Sequence, residues 1–265
     1  MSGHLLRCRQ SLSLPLSFSA VAASRRWPVR RKSGIRGLSG VVVEPSSGER
    51  ASASVIFGHG LGDSPAGWQW QCQTWTHELP WVRFALPAAP VRPVTLNGGM
   101  AMPAWYDIHG LEDRLQEPAV GAEDSRAGWA ALLEAEASEV GSRNRVVLGG
   151  FSQGAAMALY TAMHLDLTPM VAGVLMMSGY LPNHAAVAGL QLPPALLEIP
   201  VLMCHGQLDG MVRLTMAKRT QAALQELGFR NVELREYEGM GHEVCEEELD
   251  DVAEWLGNVI PSGRE

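Results

Sequence analysis

Short apolar runs recur along the chain at 38–43, 53–57, 82–86, 145–149, 171–177, 200–204 and 231–237, lengths suited to buried strands. From 122 onward they alternate with stretches whose apolar residues return at helical spacing: 122–140, 155–164, 212–227 and 246–259. In the first of these stretches, Trp129, Leu132 and Leu133 fall on one face. Strands alternating with helices predict the α/β class: a mostly parallel central sheet with helices on both faces, in one domain over 38–265. The stretch 87–118 breaks the pattern. It scatters Leu96, Met100, Met102, Trp105 and Leu111 among glycines and prolines with neither period, and reads as an irregular, lid-like loop.

Charge changes the picture mainly at one end. The net charge of the 265 residues is −7, yet residues 1–43 hold eight basic residues and no acid. The rest therefore carries 13 basic against 28 acidic residues, a net −15. An acidic body argues against nucleic-acid binding. The head is also rich in Ser and Leu, so 1–37 reads as a transit peptide to plastid or mitochondrion, with a disordered basic extension on a cytoplasmic enzyme as the alternative. No apolar run approaches the roughly 20 residues of a transmembrane segment. Cys8, Cys72, Cys204 and Cys245 lack the close pairing of a zinc site and read as reduced thiols.

Candidate chemistry begins at Gly150-Phe151-Ser152-Gln153-Gly154, which stands between the run at 145–149 and the helical stretch from 155. A strand, a Gly-bounded serine and a helix make the layout of a nucleophile elbow. A bare Gly-x-Ser-x-Gly is also an ordinary strand-to-helix turn, so an acid and then a histidine must follow it in the chain if this is an α/β-hydrolase. His242 lies in the Gly-rich loop after the strand at 231–237. The aspartates between Ser152 and His242 are Asp166, read as a charge ending the elbow helix, and Asp209, just past the strand at 200–204. Ends of parallel strands collect catalytic groups, so Asp209 is the residue expected to orient His242. The oxyanion of a tetrahedral intermediate then needs two amide donors. Gln153 N–H, after the nucleophile, and Leu61 N–H, in the glycine-rich loop His59-Gly60-Leu61-Gly62-Asp63, fit those positions.

His59-Gly60-Leu61-Gly62-Asp63, the Pro-Val-Thr-Leu-Asn run at 93–97, Met102-Pro103-Ala104-Trp105-Tyr106-Asp107, the serine motif and Gly239-Met240-Gly241-His242 follow one another from 54 to 260. Together they resemble the acyl-protein thioesterase and lysophospholipase-type carboxylesterase family. The resemblance implies an α/β-hydrolase fold and a serine hydrolase without metal or other cofactor. Its implied substrates are long-chain thioesters on S-acylated proteins, with activity on lysophospholipids and small acyl oxyesters. It supports Ser152, Asp209 and His242 as the triad, and Leu61 and Gln153 as the oxyanion donors.

Two positions depart from the family's pattern. The family's His-Gly-Asp-x-Asp-Pro is here His205-Gly206-Gln207-Leu208-Asp209-Gly210, so Asp209 is expected to be held less firmly and catalysis to be slower. Gly58 stands where a bulky apolar residue is usual, which is expected to leave space beneath the oxyanion loop. The apolar residues of 87–118 either line a groove for an acyl chain or simply pack a long connection onto the sheet. Thioesters and oxyesters share a tetrahedral intermediate, so a short-chain carboxylesterase or deacetylase stays open, as does a ligand receptor on a hydrolase scaffold.

Overall fold

The computed structural model describes residues 38–112, 115, 117–165, 170–183, 187, 189 and 191–263, with the backbone of Arg25–Arg26. Asp166 and most of the expected transit segment lie outside the described residues. The strands are β1 (Arg25–Arg26), β2 (Gly40–Val43), β3 (Ala53–Gly58), β4 (Val82–Pro87), β5 (Val91–Val94), β6 (Met100–Pro103), β7 (Val146–Phe151), β8 (Gly173–Met177), β9 (Val201–Gly206) and β10 (Val232–Tyr237). Eight of them form one sheet in the order β1-β2-β4-β3-β7-β8-β9-β10. β2 pairs antiparallel with β1 and β4, and every pairing from β4 to β10 is parallel.

Side chains on a strand alternate between faces, and both faces of this sheet are apolar, as the uninterrupted runs require. Ile56, Leu148, Val174, Met176, Val201 and Met203 join the core formed with α2 (Ala122–Val140), α3 (Gln153–Met163) and α5 (Leu214–Glu226). Val55, Phe57, Val147, Leu175, Met177 and Leu202 join the core formed with α1 (Pro65–Glu78) and α6 (Glu246–Val259). Trp129, Leu132 and Leu133 are all buried on one face of α2, as their spacing predicts. A short helix, α4 (Pro194–Leu197), precedes β9.

Two elements were not legible as such. α1 carries glutamines and threonines between its apolar residues, so its stripe is only Trp68, Cys72 and Trp75, all buried. The stretch at 87–118 is not irregular throughout: β5 and β6 pair antiparallel with Val91 opposite Pro103 and Val94 opposite Met100. Prolines disguised these strands, but a two-stranded ribbon has outer edges where no N–H is needed. The turn is a 3-10 segment, Thr95–Asn97, closed by Gly98 and Gly99 at positive φ. Asp107 ties this hairpin down by accepting from the Thr95 amide at 2.7 Å and the Thr95 hydroxyl at 2.6 Å. Cys72 and Cys204 are free and buried. Cys245 is disulfide-bonded, a correction to the expectation of reduced thiols throughout.

Candidate active site

β7 ends at Phe151 and α3 begins at Gln153, leaving Ser152 alone to make the turn, at φ 55° and ψ −118°. A non-glycine residue in that region is strained, and persists only where its surroundings fix it. Here the Ser152 N–H donates to the Met177 carbonyl at 2.8 Å. The glycines on either side let α3 cross the end of β3 at backbone distance. A Cβ on Gly154 would stand 2.1 Å from the Gly58 oxygen, and one on Gly150 would stand 2.5 Å from the same atom. No side chain fits between these two main chains.

The Ser152 hydroxyl donates to His242 Nε2 at 3.0 Å, and His242 Nδ1–H donates to Asp209 Oδ2 at 2.7 Å. The structure thus brings together the three residues singled out in the sequence. The Phe151 ring lies 4.9 Å from the imidazole, centroid to centroid, and supports it from the strand side. The loop after β9, which carries Asp209, is stitched to the loop that carries His242. Gln207 N–H donates to the Tyr237 carbonyl at 3.0 Å, and Leu208 N–H donates to the Met240 carbonyl at 2.9 Å. The approach depends on Gly206, where a Cβ would lie 2.3 Å from the Met240 oxygen.

Asp209 is held firmly, against the expectation drawn from Gly210. Its Oδ1 accepts from the Met211 N–H at 2.8 Å and the Val212 N–H at 2.7 Å, leaving Oδ2 for His242. Both grips come from amides beyond Gly210, so the missing proline does not loosen them. The buried His205 adds to this arrangement. Its Nε2–H donates to the Val212 carbonyl at 2.7 Å and lies 3.5 Å from Asp209 Oδ2. Burial lowers its pKa, which favours a neutral ring beside the carboxylate. Leu208 and Met211, on either side of Asp209, are exposed.

The oxyanion loop follows β3. Among the described residues neither Leu61 N–H nor Gln153 N–H donates a hydrogen bond, so both amides are left without a protein acceptor. The loop is braced from the 100s segment. Trp105 Nε1–H donates to the His59 carbonyl at 2.8 Å, and Gly62 N–H donates to the Pro103 carbonyl at 2.8 Å. The Gln153 side chain, which the sequence reading passed over, clamps the same segment. Its Oε1 accepts from the Trp105 N–H at 2.8 Å, and its Nε2 donates to the Tyr106 carbonyl at 2.7 Å.

The residues proposed for an acyl groove separate into three groups. Trp105 has 0% of its surface exposed and packs against His59 and Trp129, with ring centroids 5.3 and 5.4 Å away. Its place in a groove is therefore corrected: it is a brace within the core. Leu96, Met102 and Leu111 are half-buried, and Met100 on β6 is exposed. Met102 Sδ would lie 3.9 Å from a Cβ on Gly62, which sets this side chain beside the oxyanion loop. The space expected beneath that loop is filled. A Cβ on Gly58 would stand 2.6 Å from Cζ2 of Trp129, whose indole reaches across from α2. Among the described residues no cluster of three or more His, Cys, Asp or Glu side chains is placed to hold a metal ion, and no helix is long and apolar enough to cross a membrane.

A serine at a strained elbow, a histidine bonded to it, a carboxylate behind the histidine and a parallel sheet beneath them define an α/β hydrolase. Residues 39–260 match the phospholipase/carboxylesterase family, and the chain belongs to that family. It is 39% identical over 239 residues to acyl-protein thioesterase 1 of Mycosarcoma maydis, a match covering 85% of this chain and 98% of that one. It is 38% identical over 220 residues to acyl-protein thioesterase 1 of Neurospora crassa, covering 80% and 89% of the two chains. Among solved structures, Zea mays acyl-protein thioesterase 2 matches with a TM-score of 0.72 at 32% identity, over 83% of this chain and 97% of that one.

Proposed function

We propose that this chain hydrolyses acyl thioesters on S-acylated proteins, with side activity on lysophospholipids and small oxyesters. The observation that carries the reading is the continuous hydrogen-bonded series Ser152–His242–Asp209 beside two open amides. The relatives' names support the thioester as the substrate bond.

In this reading Ser152 Oγ attacks the thioester carbonyl carbon while its proton passes to His242 Nε2. The carbonyl oxygen becomes the oxyanion and is received by the Leu61 and Gln153 N–H groups, each worth about 3 kcal/mol in the transition state. Asp209 stabilises the imidazolium through Nδ1–H. Collapse of the intermediate breaks the carbon–sulfur bond, the departing thiolate takes the proton from His242, and an acyl-serine remains. Water then attacks the acyl-serine with His242 again as base, which releases the fatty acid and restores Ser152.

The test is steady-state hydrolysis of matched octanoyl and palmitoyl thioesters and oxyesters, with an acetyl ester, by the full chain and its Ser152→Ala variant. Activity abolished by the substitution and greatest on long thioesters supports the reading. Serine-dependent turnover confined to the acetyl ester would make this a short-chain esterase, and turnover limited to one equivalent would make it a receptor.

A further inference from the structure

The buried His59 has both ring nitrogens engaged, and the partners fix its tautomer without ambiguity. Nδ1 lies 2.8 Å from the Gly60 carbonyl oxygen, which can only accept, so Nδ1 carries the hydrogen. Nε2 receives the Ala89 N–H at 3.1 Å and so keeps its lone pair. The Gly60 carbonyl is held a second time, by the Asp63 N–H at 3.3 Å. In a trans peptide the carbonyl and the following N–H point in opposite directions. Pinning the Gly60 oxygen against the imidazole therefore fixes where the Leu61 N–H points. Gly60 itself lies against the nucleophile, since a Cβ there would be 3.5 Å from the Ser152 Cβ.

We infer that His59 is a positioning residue for the oxyanion hole: locked as the Nδ1–H tautomer by the Ala89 amide, it sets the Gly60–Leu61 peptide plane and so aims the Leu61 N–H. The inference rests on the proposed hydrolase reading and deepens it. Protonating His59 would force the Nε2 lone pair off the Ala89 N–H, and burial lowers its pKa in the same sense. The ring therefore serves as a fixed bracket and takes no part in proton transfer. Trp105 holds the preceding His59 carbonyl, so both carbonyls leading into the donor are tied to named side chains.

The two ring nitrogens can be mimicked one at a time. In His59→Asn the carboxamide nitrogen takes the place of Nδ1 and keeps the donor to Gly60. In His59→Gln the longer side chain reaches the place of Nε2 and keeps only the contact to Ala89. Each variant is made in the full chain, checked for folding by thermal melting, and assayed with an octanoyl thioester and with an octyl trifluoromethyl ketone, which forms a tetrahedral adduct on a reactive serine. The inference expects His59→Gln to lose about 100-fold in kcat with KM within roughly threefold, and the ketone to bind weaker by a similar factor. His59→Asn should retain kcat within about fivefold.

A folded His59→Gln with unchanged kcat, or equal losses in both variants, overturns the inference, as does a kcat loss that leaves ketone affinity intact. A measurement on the unaltered chain guards against variants that fail to fold: a long-range proton–nitrogen NMR correlation at pH 8, with the His59 signals assigned by sequential connectivity so that they are told apart from those of His242, should show the His59 ring with Nδ1 protonated and Nε2 bare. A His59 ring with Nε2 protonated at that pH overturns the inference without any variant. Wild-type chain with no Ser152-dependent turnover removes the hydrolase reading and this inference with it. Wild-type turnover with an unaffected His59→Gln removes the inference alone.

Discussion

Gly58 and Trp129 share one volume: the Trp129 indole occupies the space in which a side chain at 58 would lie, with Cζ2 2.6 Å from the position of its Cβ. The absent side chain on β3 and the large ring on α2 are two halves of one packing solution under the oxyanion loop.

That complementarity predicts a coupled pair. Gly58→Ala is expected to destabilise by roughly 1–3 kcal/mol through overpacking. Combined with Trp129→Phe, the loss should be smaller than the sum of the single losses by about 1 kcal/mol or more. Denaturant unfolding of the two single variants and the double variant measures the coupling, and strict additivity would show that the two positions do not compete for space.

Gly210→Pro tests how Asp209 is held. Gly210 N–H donates to none of the described residues, and the carboxylate is gripped by the amides of Met211 and Val212. The substitution is expected to leave kcat within about twofold and to stabilise by roughly 0.4–1 kcal/mol, through a less disordered unfolded chain. A large rise in kcat would mean that the native turn wastes orientation that proline restores.

Glu248 gives the fold a dependence on pH. Its carboxyl is fully buried, and among the described residues neither oxygen meets a donor in good hydrogen-bond geometry. Burial and then the nearby Asp251 push its pKa well up, against an opposing pull from the neighbouring Cys245 amide. In the unfolded chain it ionises near the ordinary value of roughly 4.3, so above that pH the folded state holds a proton that the unfolded state has released. Stability from this group is thus complete at low pH and declines as pH rises toward its folded pKa. Glu248→Gln should raise Tm at pH 8 relative to the parent and change it little near pH 4. Melting curves that stay parallel for the two proteins across pH 4–8 would remove Glu248 as the cause.

Met102 is the proposed groove residue placed beside the oxyanion loop. Met102→Ala is expected to lower kcat/KM for a palmitoyl thioester about 5- to 30-fold, the equivalent of ~1–2 kcal/mol of apolar contact, with an acetyl ester unaffected. Equal losses on both substrates would place Met102 in the support of the loop and not in chain recognition.

The basic head is proposed to act as an organellar address. A fluorescent protein fused behind residues 1–45 should concentrate in plastids or mitochondria, and a diffuse cytosolic signal would leave the head as a plain extension.

The parts of the site legible in the sequence were those announced by chain order. Ser152, Asp209 and His242 each follow a strand, and a parallel sheet gathers strand ends at one edge, so order alone nearly determines their meeting. The supports were not legible, because they depend on contacts between distant segments. Nothing local shows that the Gln153 side chain clamps Trp105 and Tyr106, or that the His59 ring reaches Ala89. Trp105 looked available to substrate because its loop has no period, yet its indole is fully enclosed. Gly58 looked like a vacancy for the same reason: a sequence shows what is missing from one strand, but not which side chain arrives from another helix. α1 was hidden by its own composition, and the β5–β6 hairpin by prolines that only a ribbon edge tolerates.

Main chain lying directly against main chain at Gly58, Gly150 and Gly154 also divides the molecule by what it can afford to vary. The reacting centre is built from backbone positions where any added side-chain atom meets main chain or a packed ring, whereas the surrounding rim is built from side chains on a hairpin and loops. Selection or engineering can therefore remodel which acyl group enters by changing rim residues one at a time. A change at a rim residue that does not brace the oxyanion loop leaves the distance between nucleophile and oxyanion donor untouched, so new substrate preferences need not be gained at the expense of the chemistry.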